Sequence, residues 1–269
     1  MSDQQARWAT EAAFFDNAAR EAARDLRPVG EAVLERYSRR RNRRFAPEYR
    51  FVVAGDLQGK RVLDVGCGDG ENSVLLARLG AHVWGVDISP EAIEVAKRRA
   101  EVNGVADRVT FTCAPLETAS LPESGFDVVW CDAILHHLLS DLDVIVAQLR
   151  RWAAPGGLII IMEPVNLSPA LRRLRFMVAP DTEHTPDERP LEPAEIATVM
   201  SRLPEARLRY FRALGRLDRY LLPGMQYELA APWRRTVFKT LAGLDWLALY
   251  VKPLQFLASA MVIAARVEK

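Results

Sequence analysis

The chain has 269 residues, 49% hydrophobic and 26% charged, enough for one substantial core and unlike a disordered or collagen-like polymer. Thirty-six basic against thirty-five acidic side chains leave a formal charge of +1, so no global field recruits nucleic acid, and such a partner is not expected. Cys67, Cys113 and Cys131 are odd in number and lack CxxC spacing. They indicate neither a disulfide framework nor a zinc site, and with an N-terminal stretch lacking the apolar core of a signal peptide they fit a reducing cytoplasm.

In chain order, Trp8, Ala12, Phe15, Ala19, Ala22 and Leu26 recur at steps of four and three, which predicts an amphipathic helix over 4–26. A second helical stretch after Pro28 leads into five arginines between 39 and 44, and Phe45-Ala46-Pro47 breaks the pattern. Short β-like runs then follow at 61–65, 82–87, 108–113, 126–131 and 157–162, separated by helical or turn-rich sequence. That alternation predicts an α/β fold with a doubly wound parallel sheet. Ser89 as N-cap, Pro90 at the first helical position, Ile93, Ala96 and Ala100 on one face and Gly104 as the stop delimit the helix after the second run. Two later runs, 207–213 and 259–266, complete seven strands. Helical insertions are expected at about 164–204 and 218–257, and no run approaches ~18 uninterrupted apolar residues.

The densest signal is Val62-Leu63-Asp64-Val65-Gly66-Cys67-Gly68-Asp69-Gly70, a buried strand ending in closely spaced glycines and running into a helix. Glycines are needed where backbone turns with positive φ or closely approaches a ligand. A dinucleotide fingerprint GxGxxG would need glycine at position 71, which is Glu71, so the spacing disfavours NAD. Asp87 ends the second run seventeen residues after Gly70, where a carboxylate can accept both hydroxyls of a ribose. Ile88 beside it could cover an adenine face.

These residues, with FDVV at 126–129 and the Pro155-Gly156-Gly157 turn, resemble the class I S-adenosylmethionine-dependent methyltransferases, particularly their small-molecule branch. The resemblance is good over about 60–163. It implies a Rossmann-like, seven-stranded, mostly parallel sheet with the last strand antiparallel, and S-adenosyl-L-methionine as cofactor with S-adenosyl-L-homocysteine as product. It further implies that Gly66, Cys67 and Gly68 line the methionine part, that Asp64 organises the loop and that Asp87 binds the ribose. Where the family often has an aspartate for the adenine amino group, the chain reads Ala114-Pro115-Leu116-Glu117; Leu116 could still offer its backbone N–H and Glu117 an acid.

Methyl transfer is an in-line displacement that needs a held nucleophile and excluded water. Asp132, a further candidate cofactor-binding residue, and His136 and His137 follow the fourth run, next to the expected methyl donor, and a histidine there can take the proton of a hydroxyl. Either is a candidate base, His136 being slightly favoured. Asp132, Glu163 and Asn166 offer oxygen ligands but lack the acidic pair of catechol-type enzymes, so no metal is expected.

Residues 1–55 are read as a helical lid and 56–269 as the core. An aromatic, basic stretch at 221–257 suits a greasy substrate pocket, an oligomer contact or a peripheral membrane contact. The expectation is methylation of a small, fairly apolar metabolite at a hydroxyl. Its rivals are a macromolecular methyltransferase, supported by the arginine run, and a cofactor-binding scaffold without catalysis.

Overall fold

The computed structural model describes residues 3–121, 125–171, 173, 188–203, 205–214, 217–222 and 227–268. Helices α1 (Asp3–Ala22), α2 (Glu31–Ser38) and α3 (Ala46–Ala54) precede the sheet. The core then runs β1 (Arg61–Val65), α4 (Glu71–Arg78), β2 (His82–Asp87), α5 (Pro90–Val102), β3 (Val109–Cys113), β4 (Phe126–Asp132), α6 (Leu142–Trp152), β5 (Ala153–Pro164), α7 (Pro193–Arg202) and β6 (Arg207–Phe211). It closes with α8 (Asp218–Leu221), α9 (Pro232–Ala248) and β7 (Ala260–Arg266).

The seven strands lie in the order β3-β2-β1-β4-β5-β7-β6. The first five are parallel, and β7 enters antiparallel between β5 and β6. Strand order reverses between β1 and β4, which places a crevice at the carboxyl ends of those strands. Register fixes what shares that edge: Asp132 pairs with Met162, Pro164 with Ala260, and Ala260 with Phe211.

The continuous apolar character of β5 follows from burial on both faces. Successive side chains alternate between two cores. One contains Leu63, Val65, Val129, Ile159 and Ile161 under α6 and α7; the other contains Val62, Val128, Leu158 and Ile160 under α3 and α4. Phe51 of α3 packs on Trp130 with ring centroids 4.6 Å apart. Ser89 caps α5 by accepting the Ala92 N–H at 2.9 Å, as its sequence signature predicts.

Much of the expected insertion at 164–204 lies outside the described residues. Its described end pairs Val165 with Leu191 and forms α7. No described helix is long and apolar enough to cross a membrane.

Candidate active site

The glycine loop leaves β1 and turns immediately. Gly66 and Gly68 have φ of +68° and +50°, a region L side chains occupy only with strain. A Cβ on Gly66 would lie 2.7 Å from the Ile134 side chain, whereas one on Gly68 would meet nothing within 4 Å. The first glycine thus lets two strand ends approach. The second leaves open space where the loop turns.

Buried acids hold the loop in place. Asp64, 1% exposed, accepts from the Ser73 hydroxyl at 2.6 Å, and burial pushes its carboxyl up to about 7. Asp87 accepts the Gly68 N–H at 2.8 Å through Oδ2 and the Ser89 N–H at 2.9 Å through Oδ1. Burial raises its pKa, opposed by those backbone bonds. A carboxylate has about four acceptor positions, so Asp87 retains acceptor capacity beyond these bonds. Ile88 is half-buried beside it and Leu116 is buried. Cys67 is buried, and burial pushes its thiol well above the ordinary range, which makes it packing and not a nucleophile.

Asp132 does not face the crevice alone. Arg50, 3% exposed, contacts its Oδ2 at 2.6 Å, and the Asn72 amide donates to the same oxygen at 2.8 Å. The Arg50 guanidinium also lies 4.8 Å from the Trp130 ring centroid. Arg50 and Asn72 carry no motif in the sequence, although Asn72 stands just beyond the recognisable glycine loop.

The segment after β4 is tightly built. Ala133 has φ +53°, an uncommon value for a residue with a side chain, and Leu135–His137 form a 3-10 turn. Glu163, 1% exposed at the end of β5, accepts from the backbone N–H groups of Ile134 (2.9 Å) and Leu135 (2.7 Å), and its Oε2 lies 2.8 Å from His136 Nδ1. On the other side His136 Nε2 is 3.3 Å from Glu188, whose second oxygen is 3.6 Å from His137 Nδ1. Burial opposes a charge on His136, but its bonds to Glu163 and Glu188 outweigh that and push its pKa up to about 9. The imidazole rings of His136 and His137 are 4.2 Å apart.

The first helix closes over this edge. Ala19 of α1 packs on Ala92 and Val95 of α5. Arg7 pairs with Glu117 and Asp141 at 2.6 Å each, and Trp8 donates to Glu117 at 2.9 Å. Phe15 meets the His137 ring edge-on at 5.2 Å. Asp16 accepts from the Ser89 hydroxyl at 2.6 Å, beside Asp87. The helix therefore spans the ends of β2, β3 and β4, and Glu117 is occupied in pinning it there. The arginine run is partly absorbed by α9: Arg43 lies 5.8 Å from the Trp246 ring, and Arg44 reaches Gly243.

Asp132 is engaged by Arg50 and Asn72, and Glu163 by the Ile134 and Leu135 N–H groups and His136. Among the described residues, the group close enough to share a cation is His136, His137 and Glu188, with one ligand atom from each lying within 4.8 Å of the others. Glu188 comes from the insertion, and nothing in its sequence surroundings announces it.

The chain resembles known proteins both in sequence and in fold. A family model described as "Methyltransferase domain" matches residues 63–161. The ubiquinone biosynthesis O-methyltransferase of Xanthomonas oryzae pv. oryzae is 33% identical over 208 residues, 74% of this chain and 78% of that protein. The mitochondrial ubiquinone biosynthesis O-methyltransferase of Schizosaccharomyces pombe is 40% identical over 103 residues, 38% of this chain and 37% of that protein. In fold, the chain is similar to a putative sarcosine dimethylglycine methyltransferase from Galdieria sulphuraria, with TM-score 0.54, 14% identity and coverage of 82% and 83% of the two chains. The chain belongs to the class I S-adenosylmethionine-dependent methyltransferases.

Proposed function

We propose that the chain methylates the hydroxyl oxygen of a small, fairly apolar acceptor, and that the paired histidines manage the hydroxyl proton. The observation carrying this reading is the chain Glu163–His136–Glu188–His137, set at the ends of β4 and β5 under Phe15. Relatives bearing the name O-methyltransferase support oxygen as the receiving atom.

When bound, the cofactor supplies an electrophilic methyl group on a sulfonium. Asp87 holds the ribose diol, Gly66, Cys67 and Gly68 receive the methionine part, and Asp64 fixes the loop through Ser73. Ile88 and the Leu116 backbone N–H serve the adenine. Asp132 holds Arg50 and Asn72 beside the loop. His136 already keeps its proton at neutral pH, so its charge stabilises a developing alkoxide or phenolate. His137 takes the hydroxyl proton at Nε2, with Glu188 facing its Nδ1. α1 excludes water from the transfer.

The reading is tested by kcat in His137→Gln and Glu188→Gln. His137→Gln lowers kcat by roughly 10²- to 10⁴-fold, at unchanged affinity for S-adenosylhomocysteine. Wild-type kcat in that variant overturns the base assignment.

The same two histidines and Glu188 favour a second reading, in which they hold a divalent cation that acidifies the acceptor. A two-histidine, one-carboxylate set suits such an ion, and Glu163 on the other nitrogen of His136 is the usual supporting partner. Turnover lost on chelation and restored by Zn²⁺ or Mn²⁺ selects this reading; turnover indifferent to chelator selects the first.

A further inference from the structure

Helix α9 has two apolar faces. The inner one presents Phe238, Ala242 and Asp245 to a cavity of about 180 Å³ that it shares with Phe45, Glu48 and Phe211. Asp245 is 4% exposed there and accepts the Leu214 N–H at 2.8 Å. Phe211 is paired with Ala260, and Ala260 with Pro164, so the cavity lies at the same carboxyl-end edge of the sheet as the candidate active site, on the side of β6. Three residues further along α3 from Pro47, which also lines the cavity, Arg50 reaches Asp132 at the end of β4.

The outer face is exposed among the described residues. Trp233, Val237, Leu244 and Leu247 are 60%, 39%, 51% and 67% exposed, and with Val251 they fall on one stripe at helical spacing. The following 3-10 turn, Lys252–Leu257, leaves Phe256 45% exposed. Among the described residues, every exposed large apolar side chain other than Val102 and Val144 lies between Leu214 and Phe256. A soluble domain seldom leaves so contiguous an apolar patch without a partner.

The charge around that patch selects the partner. From Leu229 to Ala260 the sequence holds one acid, Asp245, against Arg234, Arg235, Lys239 and Lys252. The acid is buried, whereas Lys239 and Lys252 are exposed. A chain balanced at +1 overall thus concentrates cations and bare apolar groups on one surface, with Trp233 and Tyr250 at its margins. This is the composition of a helix lying in the plane of an anionic bilayer surface.

We propose that the outer face of α9 and the turn after it dock on an anionic lipid surface, with the inner face lining the way from that surface to the active-site edge. The docking itself does not depend on which acceptor is methylated; the link to the cavity rests on the apolar acceptor of the proposed function.

Flotation of the intact chain with vesicles of phosphatidylcholine, alone or with one quarter phosphatidylglycerol, tests it without any acceptor. The wild type floats with the anionic vesicles and detaches in high salt. Leu244→Glu/Leu247→Glu loses at least about tenfold in vesicle affinity, while melting temperature and S-adenosylhomocysteine affinity stay as in the wild type. Lys239→Glu/Lys252→Glu loses roughly fivefold per charge on anionic vesicles only. Wild-type protein that stays with the soluble fraction, or a leucine variant that floats as well as wild type, overturns the proposal. So does a wild-type dimer that the leucine variant abolishes in the absence of vesicle binding, because the face would then belong to a second copy. Failure of methylation with intact flotation would count against the acceptor reading alone.

Discussion

Replacing Glu163 with glutamine separates the charge on His136 from the shape of the site. The side chain is 1% exposed and accepts three hydrogen bonds, two from the backbone of Ile134 and Leu135 and one at His136 Nδ1. Glutamine retains an oxygen for the backbone pair but turns an amide toward His136. A histidine raised from near 6.5 to about 9 binds its proton more tightly folded than unfolded. Its stabilisation is therefore fully present below about 6.5 and is lost as pH rises through about 9. That proton is worth roughly 3 kcal/mol to the folded state. Glu188 shares the work, so Glu163→Gln costs about 2 kcal/mol near pH 6.5, within the range of one charge-assisted hydrogen bond. The deficit narrows as wild-type His136 also becomes neutral. Urea denaturation of both proteins at pH 6.5, 8 and 9.5 measures the gap. Glu48 and Asp64, each pushed to about 7 by burial, titrate in both proteins and drop out of the difference. A gap that is constant or widens with pH refutes the charged-histidine account.

Three other outcomes are expected. Gly68→Ala is strained by about 1 to 2 kcal/mol and fills the open space at the loop, so S-adenosylhomocysteine affinity falls by roughly tenfold or more on calorimetry. Gly104→Ala, at φ +65° with equally open surroundings but remote from the loop, loses stability alone; equal binding by both variants contradicts cofactor binding at that space. Arg7→Met releases α1 from Glu117 and Asp141, speeding cofactor dissociation in stopped flow and hydrogen exchange in α1; unchanged rates mean that α1 is no lid. Asp16→Asn weakens the cap shared with Ser89 and costs about 0.5 to 1 kcal/mol in thermal denaturation.

The sheet was legible because its strands are apolar runs punctuated by turns, and the glycine loop because backbone geometry restricts the residue type. Ser89-Pro90 marked the start of α5 for the same reason. Boundaries shifted where tertiary pairing decided: β5 begins at Ala153, before the predicted 157, and β6 ends at Phe211, where Arg212 adopts φ +63°. The stripe on α1 was readable through Trp8, Phe15 and Ala19. Its polar members Arg7 and Asp16 were not, because a helix face serving a site interleaves polar groups that periodicity counts as solvent-facing. Arg50 and Glu188 escaped notice for a different reason: each acts across a long sequence separation, on Asp132 and on the paired histidines, and neither sits in a pattern of fixed spacing. The four-residue chain of acids and histidines exists only in the folded molecule.

The most direct measurement is turnover with S-adenosylmethionine carrying a ¹³C methyl group on a panel of phenols and aliphatic alcohols of graded apolar character, with product-carbon NMR as the readout. A labelled methoxy carbon is expected, formed by the wild type and nearly absent with His137→Gln. Label found on nitrogen or carbon, or equal methoxy formation by the variant, would contradict it.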